Sequence, residues 1–109
     1  MSLPGLAREL AELAARRETV TYGALAARLG LDGPGRIARL TGALEDLMEE
    51  DAAQGAALRA ALVLGRASGH LPARGFFDKA RELGLFDGDD PARFHGAHLA
   101  ALHGRALRD

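Results

Sequence analysis

A chain of 109 residues with a formal net charge of −1 has the length of one domain and can bury a modest core unaided. It holds no cysteine, which excludes disulfides, thiolate catalysis and cysteine-ligated zinc. Near-neutrality argues against a generic polyanion binder, which carries a basic excess.

The charge is unevenly spread, however. Between residues 14 and 40, Arg16, Arg17, Arg28, Arg36 and Arg39 against Glu18 and Asp32 leave +3. Residues 41 to 54 hold Glu45, Asp46, Glu49, Glu50 and Asp51 with no base, a local −5. From 55 to 86, Arg59, Arg66, Arg74, Lys79 and Arg81 against Asp78 and Glu82 again leave +3. Basic segments that share a face would meet phosphates while the rest of the surface repels them. The longest apolar run, Ala60 to Leu64, is too short to cross a bilayer, and the N-terminus lacks the pattern of a signal peptide. The expected place is the cytoplasm, with no membrane partner. Heavy use of Ala, Arg and Gly beside a single lysine, Lys79, is a bacterial compositional habit.

In chain order, Leu3 to Arg17 is expected to be a helix, with Pro4 in its first turn and Leu6, Leu10, Leu13 and Ala14 on one stripe. The β-branched residues from Thr19 to Thr21 break that pattern. Thr21 is placed to cap a second helix, Tyr22 to Leu29, with Leu25, Ala26 and Leu29 inward and Gly30 as a left-handed stop. Asp32-Gly33-Pro34-Gly35 is a turn. A third helix runs from Arg36 to about Ala53 with Ile37, Leu40, Leu44, Leu47 and Met48 on one stripe; Thr41 and Gly42 raise a break in its middle. Gln54 and Gly55 end it.

Leu58 to Gly65 reads as a short buried strand, a helix from Ala56 being the competitor. After a turn at Ser68-Gly69 and a rigid connector at Leu71-Pro72, Gly75 to Leu83 forms a helix that buries Phe76, Phe77, Ala80 and Leu83 and stops at Gly84. Leu85 and Phe86 anchor the next loop. Asp90 caps a last helix, with Pro91 first, reaching about Leu107.

Helix, glycine-rich turn, helix over Thr19 to Leu40 is the grammar of a helix-turn-helix. Arg36 and Arg39, three apart beside the turn, stand where recognition helices place base and phosphate contacts, and Tyr22 would present its hydroxyl to a phosphate. The plain alternative is a solvated face and a core-edge tyrosine. Asp87, Asp89 and Asp90 suggest calcium but lack the further oxygen ligands and the distal bidentate Glu, so capping explains them. His95 and His98, with His103 beyond, suggest zinc, but a terminal Ala-rich helix more often exposes such a pair. The acidic block from Glu45 to Asp51 has no base within a turn and reads as a solvated face. Ser2 and Ser68 lie in no nucleophile elbow, and the glycines at 30, 33 and 35 do not fit a phosphate-cradling loop. No catalytic residue, metal or cofactor is expected.

The run Val20-Thr21-Tyr22-Gly23-Ala24-Leu25-Ala26-Ala27-Arg28-Leu29-Gly30, followed by Pro34, Gly35 and Arg36, resembles the DNA-binding domain of alkylguanine-DNA alkyltransferases and alkyltransferase-like proteins. The resemblance implies a winged helix-turn-helix. In it Tyr22 matches the tyrosine that touches the phosphate beside a flipped nucleotide, and Arg36 roughly matches the arginine that fills the vacated stack. That family continues with Pro-Cys-His-Arg or Pro-Trp-His-Arg, whereas Leu58 to Leu64 holds no Cys, Trp or His, which removes alkyl transfer. The stretch from Leu62 through Ser68-Gly69 and Leu71-Pro72 to Phe77 resembles a segment of small bacterial and phage-associated proteins of unknown function. The expected fold is therefore mainly α, a single winged-helix-like domain with one short strand or hairpin around residues 59 to 70. The expected function is non-catalytic binding of double-stranded DNA through Tyr22, Arg36 and Arg39, flanked by Arg66 and Arg74. The competing expectation is a protein-interaction module of the same shape, and a homodimer is left open.

Overall fold

Leucines at positions 6, 10 and 13 fall on one side of a 3.6-residue repeat, and all three are buried where they form the inner stripe of α1 (Leu6–Arg16). The computed structural model describes residues 3–108, with the side chains of Ser68 and of residues 105–108 excepted; Ser2 lies outside the described residues. Helix α1 ends where Arg17 turns left-handed, φ 56°. The N–H groups of Arg17 and Glu18 return to the carbonyls of Ala14 and Leu13 at 3.1 and 2.9 Å.

Strand β1 (Val20–Thr21) leads directly into α2 (Tyr22–Arg28), and Thr21 Oγ1 accepts the Ala24 N–H at 3.2 Å, as its sequence position implies. Gly30 then takes the expected left-handed backbone, φ 73°. Helix α3 (Arg36–Ala53) opens on left-handed Gly35, φ 79°, and runs without a break. Thr41 does not interrupt it because its hydroxyl donates to the Ile37 carbonyl at 2.9 Å, inside the helix. Leu40, Ala43, Leu44, Leu47 and Met48 are buried, but Ile37, expected on the same stripe, is 38% exposed. It belongs to a run of eight exposed residues, Asp32 to Arg39, that carries the first turn of α3 clear of the core.

The stretch expected as one strand divides. Arg59–Leu62 is a 3₁₀ turn and only Val63–Leu64 is extended, as β2. Strand β2 pairs parallel to β1, Val20 opposite Val63 and Thr21 opposite Leu64. Parallel neighbours need a crossover, here α2 and α3, so the hairpin raised as an option around residues 59 to 70 does not form among the described residues. A second 3₁₀ turn, Arg66–Ser68, is closed by Gly65 N–H donating to the Leu71 carbonyl at 2.8 Å.

Helix α4 (Arg74–Glu82) buries Phe76, Phe77 and Ala80 as expected, and Leu83 is half-buried. Helix α5 (Pro91–Arg108) is capped by Asp90, whose Oδ1 accepts the Arg93 N–H at 3.1 Å. All four phenylalanines cluster between these two helices: the rings of Phe76 and Phe77 meet edge to face at 5.1 Å and those of Phe86 and Phe94 stack at 4.7 Å. The fold is thus mainly helical around a two-residue parallel ladder. No helix among the described residues is long and apolar enough to cross a membrane.

Arg17 is exposed and left-handed, a backbone state that glycine adopts without the Cβ penalty. Arg17→Gly is expected to stabilise the chain by about 0.5–1 kcal/mol after the added freedom of the unfolded state is discounted. Thermal unfolding by circular dichroism should show this as a rise in Tm of about 2–8 °C.

Candidate nucleic-acid interface

The turn between α2 and α3 is braced from within. The Arg39 Nη2 donates to the Asp32 carbonyl at 3.0 Å, so one of the two expected contact arginines also holds the turn that precedes it. Arg36 and Arg39 are both exposed. The first turn of α3 holds no acidic residue and no side chain caps its N-terminus, so its free N–H groups and both guanidiniums share one end of an 18-residue helix.

Tyr22 stands at the base of this tip, half-buried. Its oxygen accepts the Ala73 N–H at 3.0 Å, which ties α2 to the start of α4. Burial pushes its phenol pKa up, and the Ala73 hydrogen bond opposes that in part. The phenol therefore stays neutral and keeps its proton to donate. Arg74, next to Ala73, is exposed and pairs loosely with Asp78 at 3.9 Å. Arg66 is exposed in the second 3₁₀ turn. The Tyr22 bond thus brings α2 and the start of α4 together, while Arg66 comes from the separate turn after β2.

The histidines are internal fasteners. His95 Nε2 donates to the Ala61 carbonyl at 2.8 Å, and His98 Nδ1 accepts the Leu58 N–H at 2.9 Å. Both nitrogens serve the backbone of residues 58 to 61, and no group of three or more potential metal-ligating side chains occurs among the described residues. His95 is buried, contrary to the expected exposure of this pair.

The acidic block is a solvated face only in part: Glu49 and Glu50 are exposed, but Asp51 is buried. Its partners are distant in sequence, where a search within one helical turn misses them. Asp51, 4% exposed, accepts the Arg59 backbone N–H at 2.9 Å and the Arg59 Nε at 3.0 Å, with Nη2 also at 3.0 Å. Glu49 receives the Lys79 Nζ at 2.6 Å, and Glu82 lies 3.6 Å from the same amine. The Glu49 hydrogen bond raises the Lys79 pKa against the opposing effect of burial. Sequence did carry a signal for Asp51, which continues the inward stripe of Leu44, Leu47 and Met48 by one more step of the helical repeat.

Two outcomes follow for these internal contacts. Asp51→Ala strips the Arg59 N–H and guanidinium of their acceptor and is expected to cost about 2–3 kcal/mol in urea unfolding; Asp51→Asn, which keeps one acceptor oxygen, should cost about 1 kcal/mol. For His98, burial first and then the neighbouring His95 lower the pKa below its ordinary value, with Asp51 opposing. The unfolded chain then binds the proton more readily, so stability is full above the ordinary histidine pKa of about 6.5 and falls as pH drops below it. His98→Asn, whose amide oxygen can accept the Leu58 N–H, should flatten the fall in Tm between about pH 7 and pH 5.5. Compared with known proteins, the chain matches no protein-family model, no curated protein and no solved structure.

Proposed function

We propose that the chain is a small DNA-binding module of helix-turn-helix form, with the first turn of α3 as its contact tip. The observation that supports this most is the exposed run from Asp32 to Arg39, which sets two arginines and the uncapped amides of a long helix beyond the core. Arg36 and Arg39 contact phosphate or base edges, Tyr22 donates its hydroxyl proton to a phosphate, and Arg66 and Arg74 flank from the turn after β2 and the start of α4. The likeness of residues 20 to 36 to the alkyltransferase DNA-binding domain supports a winged-helix-like module. The role is non-catalytic.

Four arginine–phosphate contacts give a log–log salt dependence with slope of about −3.6, or a loss of about 150-fold between 50 and 200 mM salt. Fluorescence anisotropy with a labelled duplex should show micromolar binding at low salt with that slope. The Arg36→Ala, Arg39→Ala double variant should bind at least about tenfold more weakly and flatten the slope by about 2. Absence of micromolar binding by the folded wild type, or equal binding by the double variant, overturns the reading.

The competing module, which docks on a partner protein, is favoured by one feature of the same tip: Ile37 is exposed between the two arginines. Under that reading the wild type ignores DNA.

A further inference from the structure

Helix α5 is held to the rest of the fold by few groups. From Pro91 to Gly104 only His95 and Leu102 are buried, while Phe94 and Leu99 pack partly against the core. Ala92, Gly96, Ala97, Ala100 and Ala101 are exposed. With so little apolar burial, the two histidine contacts to residues 58–61 carry much of the attachment. A third histidine works against it. His103 Nε2 is enclosed without a hydrogen-bond partner, a cost that the docked helix bears and a detached one does not.

The two contacts answer differently to a proton. The Ala61 carbonyl can only accept, so His95 Nε2 carries a hydrogen and keeps its bond whether the ring is neutral or charged. His98 Nδ1 accepts the Leu58 N–H and therefore carries none. Protonation sets a second N–H against the first, and the bond is lost. The surroundings compensate little for the charge. Burial and then His95 disfavour it, and Asp51 alone favours it. Both Asp51 oxygens are already engaged by Arg59. The Phe94 ring lies 4.7 Å from that of His98. The cleft of about 360 Å³ that His98 lines, between α5 and the end of α3, is otherwise built of alanines, Gly55 and Leu85, with no charged side chain.

We propose that His98 is an acid-sensitive latch: its protonation releases α5 as a unit from residues 58–61 and uncovers Leu58, Ala61 and Leu62, while α1, α2, α3 and the β1–β2 pair stay folded. The latch does not rest on the DNA reading, which depends on the α3 tip.

Adjacent amides provide an internal control, because the Leu58 N–H is held by α5 and the Arg59 N–H by α3. Native-state hydrogen exchange of the full chain, followed by nuclear magnetic resonance, should give Leu58 and residues 98–102 protection factors at least about tenfold below those of Arg59 and residues 44–48. From pH 7 to pH 5.5 the protection of the first set should fall about three- to eightfold. The upper limit belongs to a ring that titrates at about 6.5 when α5 is free and stays neutral when it is docked. His98→Asn, whose oxygen accepts the Leu58 N–H without titrating, should keep α5 protected at pH 7 and lose the fall. The wild type supplies an arm that needs no variant: the His98 ring signal and the Leu58 protection should change over the same pH range. The proposal is overturned if the Leu58 and Arg59 amides are equally protected, or if α5 protection is the same at both pH values. It is also overturned if His98 titrates while Leu58 stays protected, or if folded His98→Asn shows the same fall, which would place the response on His95 or His103.

Discussion

The fold depends on how the backbone from Leu58 to Ala61 is satisfied in a largely buried place with almost no sheet. Leu58, Ala60, Ala61, Leu62 and Val63 are all buried, yet the ladder beside them is two residues long. A buried backbone group without a partner costs about 1–3 kcal/mol, so the polar groups upstream of that ladder need side chains. Helices α3 and α5 both supply them: Asp51 takes the Arg59 N–H, His98 the Leu58 N–H, and His95 serves the Ala61 carbonyl. The two longest helices are thereby fastened to the same four-residue segment. That segment aims β2 at β1, and β1 runs directly into the capped start of α2.

This arrangement explains why the residues that looked like ligand or surface groups are internal. A histidine pair on a terminal helix and an aspartate at the end of an acidic run are polar in any reading of the sequence. Whether they meet a metal, water or a peptide group depends on a segment 34 to 40 residues away for the histidines. The same holds for Lys79, the sole lysine, whose amine lies against Glu49 from 30 residues upstream. Charge counted along the chain overstates what reaches the surface. Helix α3 has a basic, projecting first turn, while Glu49, Glu50 and Asp51 in its second half are drawn onto Lys79 and Arg59.

Much of the helical framework was legible. The leucine stripe of α1, the Thr21 cap, the Gly30 stop, the turn before Arg36, the phenylalanines of α4 and the Asp90 cap depend on local spacing or a single hydrogen bond, and local pattern records both. Three features were not legible, each for a non-local reason. Leu58 to Gly65 was read as one strand, but only Val63–Leu64, the two residues that pair with Val20–Thr21 far upstream, are extended. Ile37 keeps the period of the α3 stripe, but the core ends one turn short of it. Tyr22 was read as a hydroxyl for a phosphate, and no local pattern shows that its oxygen also accepts the Ala73 N–H, 51 residues on.

That last contact gives the molecule an unusual optical property. The chain has one tyrosine and no tryptophan, so the dominant chromophore of its near-ultraviolet absorption and emission lies at a single joint, where α2 meets the start of α4 at the base of the arginine tip. Whatever strains or loosens that joint changes the hydrogen bonding and hydration of the one phenol that emits. The unlabelled protein therefore reports on its own α2–α4 contact, without the averaging over many rings that obscures such signals in most domains of this size.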